Sequence, residues 1–510
     1  GVDGIHANQA IGGGDTVSGD GDPTKTGDAN LPSGDTTLGD SQPPGDSTPP
    51  LGPCGNLLRQ ADANVDGFLT DTFRWFDARC TQRSAAMVHS DITDPTGHQG
   101  GYLRRYTYTT NGQTRVCDGA SNTHPGWGYA VNHFGNGGVN ATLSYSYPGS
   151  QSVVFLGSHH AIYRYVMTYA VDYSHNVRVT IDWFFATGRD HPVWSITYDL
   201  AATGIGANVV NADTRSPYGD LQWDGGAGAL VDGVAWGDRY RFTTTKSPLS
   251  LLSTWDYSAQ NRVPFAMAWS AGSVDAEMGA VQTQTWQQKD GGGYWAYQYW
   301  GQTSMTSPPP GPTNRAYMML NTWNWTYQIN QYELFEWAPE TTTTSKRLAW
   351  GANYGAVGQQ SYPVYGDDGN LSGYPYQSYS VFMVLGRHSQ EAVMNQVRDI
   401  EAVHDASLSA NVGSVRVQGP AGINRPDLTT YSPAGYNPVY GTWDVEAAAN
   451  RIDVTFDAEA GALHHPILVV HNFTAAAPQP WKVAGSTWTA NKDFLPARMP
   501  RQINCGLPRT

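Results

Sequence analysis

Short segments rich in Val, Ile, Thr, Tyr, Phe and Trp dominate the chain from about residue 104 onward, and tight turns separate them. Segments 102–109, 141–147, 152–156, 162–171, 177–185 and 193–200 have this composition, with Tyr-Ser-His-Asn at 173–176 and Gly-Arg-Asp-His-Pro at 188–192 between neighbours. Residues of these types suit a half-buried pleated surface, and turns this short can join only antiparallel neighbours. Similar segments run through 240–350, and strands resume at 413–418, 451–456 and 466–471. One stretch has helical spacing instead: 389–404 places apolar residues at 393, 394, 397, 400 and 403. The expected fold is all-β, a large antiparallel β-sandwich with a few short helices. The expected organisation is a tether over 1–53, a main domain over 54–405 and a smaller C-terminal β domain over 406–510.

Residues 1–53 hold eight Asp, no Glu and one Lys, and Gly-Asp recurs among Pro, Ser and Thr. Such a segment buries too little apolar surface to offset its ordering entropy, so a flexible acidic tether is expected. It looks like the spacer that follows the lipid-bearing cysteine of bacterial lipoproteins, although that cysteine is not in this sequence. The tail carries −7 of the formal net charge of −14, which leaves −7 for the other residues. A mildly acidic body argues against nucleic acid as a partner. No apolar run is long enough for a membrane span. A start at Gly1 fits a removed signal peptide or a trimmed chain.

The cysteines are Cys54, Cys80, Cys117 and Cys505. No CxxC pair or His-rich spacing accompanies them, so two disulfides in an oxidising compartment are expected rather than zinc. Cys80–Cys117 and Cys54–Cys505 are the favoured pairings among three. Asp62, Asn64 and Asp66, followed by Gly67, match the start of an EF-hand loop. The twelfth position is Phe73, where a carboxylate is required, so a polar turn competes with Ca2+ there. No other cofactor is required.

Aromatic residues make up 12% of the chain. Trp295, Tyr297, Tyr299 and Trp300 lie in one run, and Trp323, Asn324, Trp325 and Tyr327 in another. On a strand, Trp323, Trp325 and Tyr327 share a face, with Asn324 on the other. Rings flanked by Asn and Gln suit sugars, whose C–H faces stack while hydroxyls need hydrogen bonds; core packing is the competing reading. Taken together, strand lengths and aromatic content over roughly residues 100–400 resemble the supersandwich proteins of carbohydrate metabolism, which include galactose-mutarotase-like domains and several polysaccharide lyases. The resemblance implies an antiparallel sandwich and a glycan ligand; no diagnostic motif carries a catalytic residue over.

His159, His160, Tyr163, Arg164 and Tyr165, with His175 and with Arg189, Asp190 and His191 in the next turns, hold the parts needed for β-elimination on a uronate. Arg neutralises the carboxylate, while His or Tyr moves the protons. By strand parity Tyr163 and Tyr165 share one face and Arg164 the other. Hydrogen-bonded turn histidines and a structural Arg–Asp pair are the alternative. Asp220 and Asp224, with Glu333 and Glu336, offer the paired carboxylates of glycoside hydrolysis. His464, His465 and His471 offer a metal-binding alternative to a structural role. The expected protein is secreted or surface-tethered and binds a polysaccharide or oligosaccharide. Cleavage by elimination is favoured, with His160, Tyr163, Arg164, Tyr165 and His191 in the chemistry and Arg189, Trp295, Tyr299, Trp323, Trp325 and Asn324 on the substrate. The alternatives are hydrolysis through Asp220 and Glu333, and glycan binding without catalysis. The predicted cleft joins the 159–165 segment and the 189–191 turn to the strand at 323–327. Oligomeric state is not legible.

Overall fold

The computed structural model describes residues 54–89, 100–110, 112–119, 126–133, 141–143, 149–170, 176–199, 213–223, 233–237, 242–245, 254–256, 263, 265–283, 315–317, 326–329, 347–353, 376–416, 433–459, 463, 465–475, 481–483 and 486–488. The chain divides into two units, 1–49 and 50–510. The tether expected over 1–53 lies outside the described residues.

Strands follow the alternating segments. In chain order they are β1 (Leu58–Val65), β2 (Phe68–Phe76), β3 (Gln82–Val88), β4 (Leu103–Thr110), β5 (Gln113–Asp118), β6 (Trp127–His133), β7 (Ala141–Leu143), β8 (Gly149–Leu156), β9 (His160–Ala170), β10 (Asn176–Ala186) and β11 (Val193–Asp199). There follow β12 (Asp213–Trp223), β13 (Gly233–Gly237), β14 (Phe242–Thr245), β15 (Thr254–Asp256), β16 (Phe265–Ser270), β17 (Ala276–Gln282), β18 (Arg315–Tyr317), β19 (Thr326–Ile329), β20 (Arg347–Asn353) and β21 (Tyr376–Gly386). A 3-10 turn, His388–Gln390, leads into helix α1 (Ala392–Asp405). Short strands β22 (Ser407–Val412), β23 (Ser414–Val415), β24 (Tyr436–Asn437), β25 (Thr442–Glu446), β26 (Asp453–Asp457), β27 (Leu468–His471), β28 (Trp481–Val483) and β29 (Ser486–Trp488) complete the described chain.

Two antiparallel sheets face each other. The first runs β1-β2-β3-β4-β5-β12-β20-β19, with β6 and β7 attached beside β12 and β4. The second runs β14-β13-β16-β17-β21-β11-β10-β9-β8. The chain is therefore an all-β sandwich, as the residue pattern predicts. Alternation decides the layers: Tyr163, Tyr165, Trp183, Phe185 and Trp194 point inward, while their neighbours Ile162, Phe184 and Val193 point outward. Inward rings meet the first sheet, with Phe73 stacked on Phe185 at 4.8 Å and Trp127 edge-on to Trp183 at 5.7 Å. Two of these inward indole N–H groups find a carbonyl: Trp183 donates to Gly101 and Trp194 to Gly128. Gly128 has φ +105, and a Cβ there would lie 2.5 Å from the Trp183 ring, so only glycine lets the strands close over these tryptophans.

Outward residues Phe184, Val193, Phe382 and Val384 form a second core with Val393, Val397 and Ile400 of α1. The helix expected over 389–404 is thus real, and its apolar stripe is a third layer. A C-terminal sheet, β23-β25-β24 with β27 parallel to β25, builds its own core around Trp443, which meets Tyr436 and Phe456 edge-on. Tyr436 also donates to the Thr283 carbonyl at 2.8 Å, tying this region to the second sheet.

One sequence expectation, the cysteine pairing, is corrected. Cys54 bonds Cys80, 26 positions away, which excludes both Cys80–Cys117 and Cys54–Cys505. Cys117 is buried in β5, and Cys505 lies outside the described residues. The bridge clips the segment before β1 to the β2–β3 turn. By loop closure, replacing both Cys54 and Cys80 by Ala is expected to cost about 3–4 kcal/mol, read from denaturant midpoints. Of the two readings of this segment, the polar turn is what forms: the residues after Asp62 make the β1–β2 hairpin. Val65 pairs with Phe68 across Asp66 (φ 54) and Gly67 (φ 89), a two-residue turn that needs positive φ twice. Asn64 accepts the Gly67 N–H at 3.1 Å, Asp66 is ion-paired with Arg104 and Arg105, and Asp62 lies 3.7 Å from the His89 ring. The three expected calcium ligands therefore have other partners.

Candidate functional site

Register places one end of the second sheet. His160 pairs with Ala186, Val193 with Phe382, and Glu277 with Gly386, so the β8–β9, β10–β11 and β16–β17 turns share an end with the start of the 3-10 turn. Of the described residues predicted for catalysis, His160 and His191 stand at this end, while Tyr163, Arg164 and Tyr165 lie further along β9.

Here Arg83 is enclosed between the sheets. Its Nε donates to Asp77 at 3.0 Å, and its Nη1 donates to the Leu385 carbonyl at 2.6 Å and to the Tyr106 hydroxyl at 3.3 Å. Burial alone would lower its pKa, but Tyr106, Asp190 and Asp77 together hold it above the ordinary Arg value. Burial pushes the Tyr106 hydroxyl up to about 12. Asp190 accepts the Ala78 N–H at 3.0 Å; burial works upward on its carboxyl, and Arg83, His191 and that N–H bring it below the usual range.

The predicted proton-transfer residues are committed elsewhere. Tyr163 is wholly buried, and its hydroxyl donates to the Val88 carbonyl at 2.7 Å; burial raises its pKa well above 10. Tyr165 is buried beside Gly101 and Gly149, and burial raises its pKa too. His191 is enclosed and accepts the Leu385 N–H on Nδ1 at 3.3 Å; burial, then the Arg83 charge, lowers it to about 3. His160 lies flat on Phe184, 5.9 Å between centroids, and burial, then the Arg189 charge, lowers it to about 3. Both imidazoles are neutral near pH 7.

Arg164 grips Asp182 with two bonds of 2.8 and 2.7 Å, and Tyr440 donates to the same carboxylate at 2.7 Å. Arg189 donates to the Tyr440 and Gly441 carbonyls over the Phe184 and Phe382 rings, and burial lowers its pKa to about 10. These arginines pin the segment before β25 to the outer face of the second sheet. Among the C-terminal strands, His471 accepts from Arg416 on Nδ1 at 3.0 Å and donates from Nε2 to Asp444 at 3.1 Å, a hydrogen-bonded structural arrangement.

Of the predicted 323–327 segment only 326 and 327 fall within the described residues, in β19. β19 lies in the first sheet against β16. Four strands separate β16 from β9, so 326–329 is about 24 Å sideways from the 160–165 segment at ~4.8 Å per strand. Asp220 pairs with Ala349 in β12. Glu333, Trp295, Tyr299, Trp323, Asn324 and Trp325 lie outside the described residues.

A cluster not predicted from the sequence stands at the rim of the same end. Glu277, 1% exposed, accepts the Val393 N–H at 2.7 Å and contacts His388 Nδ1 at 2.7 Å. The His388 ring is one-third exposed and lies parallel to Trp269, 5.4 Å between centroids. Asp275 receives the Ser389 N–H, the Ser389 hydroxyl and Arg387 Nε, all within 2.8 Å. Burial raises the Glu277 carboxyl. For Asp275 burial also works upward, but the Ser389 and Arg387 bonds lower it from 3.8 to about 2. A depressed carboxyl stabilises the fold above its unfolded value and loses that contribution as pH falls. Asp275→Asn is therefore expected to lower the melting temperature at neutral pH and to flatten the loss of stability between 3.8 and about 2.

No known protein family and no curated protein matches the sequence.

Proposed function

We propose that this chain is a carbohydrate-binding protein, secreted or held at a cell surface, whose glycan contacts come from the aromatic-rich segment between β17 and β21. The observation that carries the reading is topological. β17 leaves the second sheet at Gln282 and β21 returns at Tyr376, both at the end away from the His160 turn. The intervening sequence carries Trp295, Tyr299, Trp323 and Trp325 among Asn and Gln. An amphipathic ring offers a sugar both a stacking face and a neighbouring hydrogen-bond partner. The disulfide is compatible with an oxidising compartment, and no described helix is long and apolar enough to cross a membrane.

Binding is favoured over elimination because Tyr163, Tyr165 and His191 are buried and Arg164 is paired with Asp182. Incubation with a polysaccharide panel tests this, following unsaturated-product absorbance, reducing ends and retention together. Retention without product is expected. Both product signals signify a lyase, and reducing ends alone a hydrolase.

A further inference from the structure

The Cys54–Cys80 disulfide joins a lightly anchored segment to a turn that holds itself together. Cys54 is half-buried and Cys80 is exposed, so the bridge is within reach of a reductant while the protein is folded. We propose that this bridge is a thiol-sensitive clasp: a dithiol opens it in the folded protein and frees residues 54–60, while both sheets stay closed. A thiolate of the reductant attacks Sγ of Cys80, and Cys54 leaves as a thiolate that takes up a proton. The second thiol of the reductant then displaces Cys80, so the bridge gains two electrons and two protons and the dithiol becomes a disulfide. Such a clasp stands whether or not the chain binds a glycan.

Apart from the bridge, Leu57 is the main anchor ahead of β1. Its side chain is 4% exposed and its N–H donates to the Ser158 carbonyl at 2.7 Å, while Gly55 lies on the Phe76 ring and Asn56 is exposed. One buried side chain and one hydrogen bond do not offset the entropy of ordering this segment. β1 then forms an edge of the first sheet, and Leu58–Asp62 are all exposed. Its ladder with β2 covers Leu58–Gln60, breaks, and resumes at Ala63, with Asp62 at φ 52 in the gap. That irregularity separates the first half of β1 from the hairpin, so release stops there. Two side-chain pairs oppose release, Arg59 with Asp71 at 2.9 Å and Arg74 with Gln60 at 3.0 Å. Asp71 also faces His89 Nε2 at 3.1 Å, so it keeps a neighbour when Arg59 leaves. The other end of the bridge is firmer. Asp77 Oδ1 accepts the Arg79 and Thr81 N–H groups at 3.0 and 2.9 Å, and the Asp77 carbonyl accepts the Cys80 N–H at 3.0 Å. The β2–β3 turn therefore keeps its shape without the sulfur bond, and Arg83 keeps its Asp77 partner.

Native hydrogen exchange of the full chain, with and without dithiothreitol, tests the clasp, and alkylation with peptide mapping reports which thiols form. Cys54 and Cys80 are expected to be alkylated after dithiothreitol, while Cys117, buried in β5, stays protected. Exchange over 54–60 is expected to rise about tenfold or more, with β2, β3, β9 and β10 unchanged. C54S/C80S is expected to exchange at the fast rate without reductant and to be indifferent to it. A bridge that dithiothreitol leaves intact, or one whose loss leaves exchange over 54–60 as it was, overturns the proposal. So does faster exchange throughout the sheets, or a C54S/C80S chain that does not fold, since either makes the bridge a brace for the whole fold.

Discussion

Lowering the pH from about 7 to about 4 is expected to remove several kcal/mol of stability, with His191 the largest single source. Enclosed between Arg83 and the Leu385 N–H, His191 holds its proton only near pH 3, against 6.5 when unfolded. The unfolded chain therefore binds a proton that the folded chain does not, and stability falls as pH drops from 6.5 toward about 3. One such histidine accounts for about 3 kcal/mol by about pH 4. His160, partly exposed at the start of β9, adds a smaller effect of the same sign. His191→Asn keeps an acceptor for the Leu385 N–H and removes the titration. Urea unfolding at several pH values checks this: the variant should show a shallower slope across the window, and an unchanged slope would mean that His191 is protonated in the fold.

Arg83→Met is expected to cost about 3–5 kcal/mol, because it leaves Asp77 without its guanidinium and the Leu385 carbonyl without a donor. Asp190, kept ionised partly by the Arg83 charge, loses that support too. Denaturant unfolding at neutral pH measures the loss. A change below about 1 kcal/mol would mean that water replaces the guanidinium and that the cluster is not closed.

The fold was legible because alternation is a local property. Segments 162–171 and 177–185 appear as β9 and β10, and parity correctly assigned Tyr163 and Tyr165 to one face and Arg164 to the other. The helix was legible for the same reason. Sheet order was not legible, since β12 enters the first sheet between β5 and β20 while β13 joins the second. That ordering separates 326–329 from the His160 turn. The disulfide partner of Cys80 likewise depends on which turn the chain before β1 reaches. At Asp66-Gly67 the local signal was present, an Asp-Gly pair between strand-like residues, and it outweighed the partial calcium pattern. Nothing in the sequence pairs Glu277 with His388, whose contact spans 111 positions and forms only because β17 lies beside β21. An isolated His before a helix carries no sign of a buried carboxylate behind it.

Affinity electrophoresis through gels cast with individual polysaccharides, comparing wild type with a Trp323→Ala/Trp325→Ala variant, tests glycan binding most directly. Wild type should be retarded by at least one polysaccharide. Removing two stacking rings should weaken that retardation by about tenfold or more while leaving the melting temperature in place. Migration of wild type unchanged by every polysaccharide, or equal retardation of both proteins, would contradict the account.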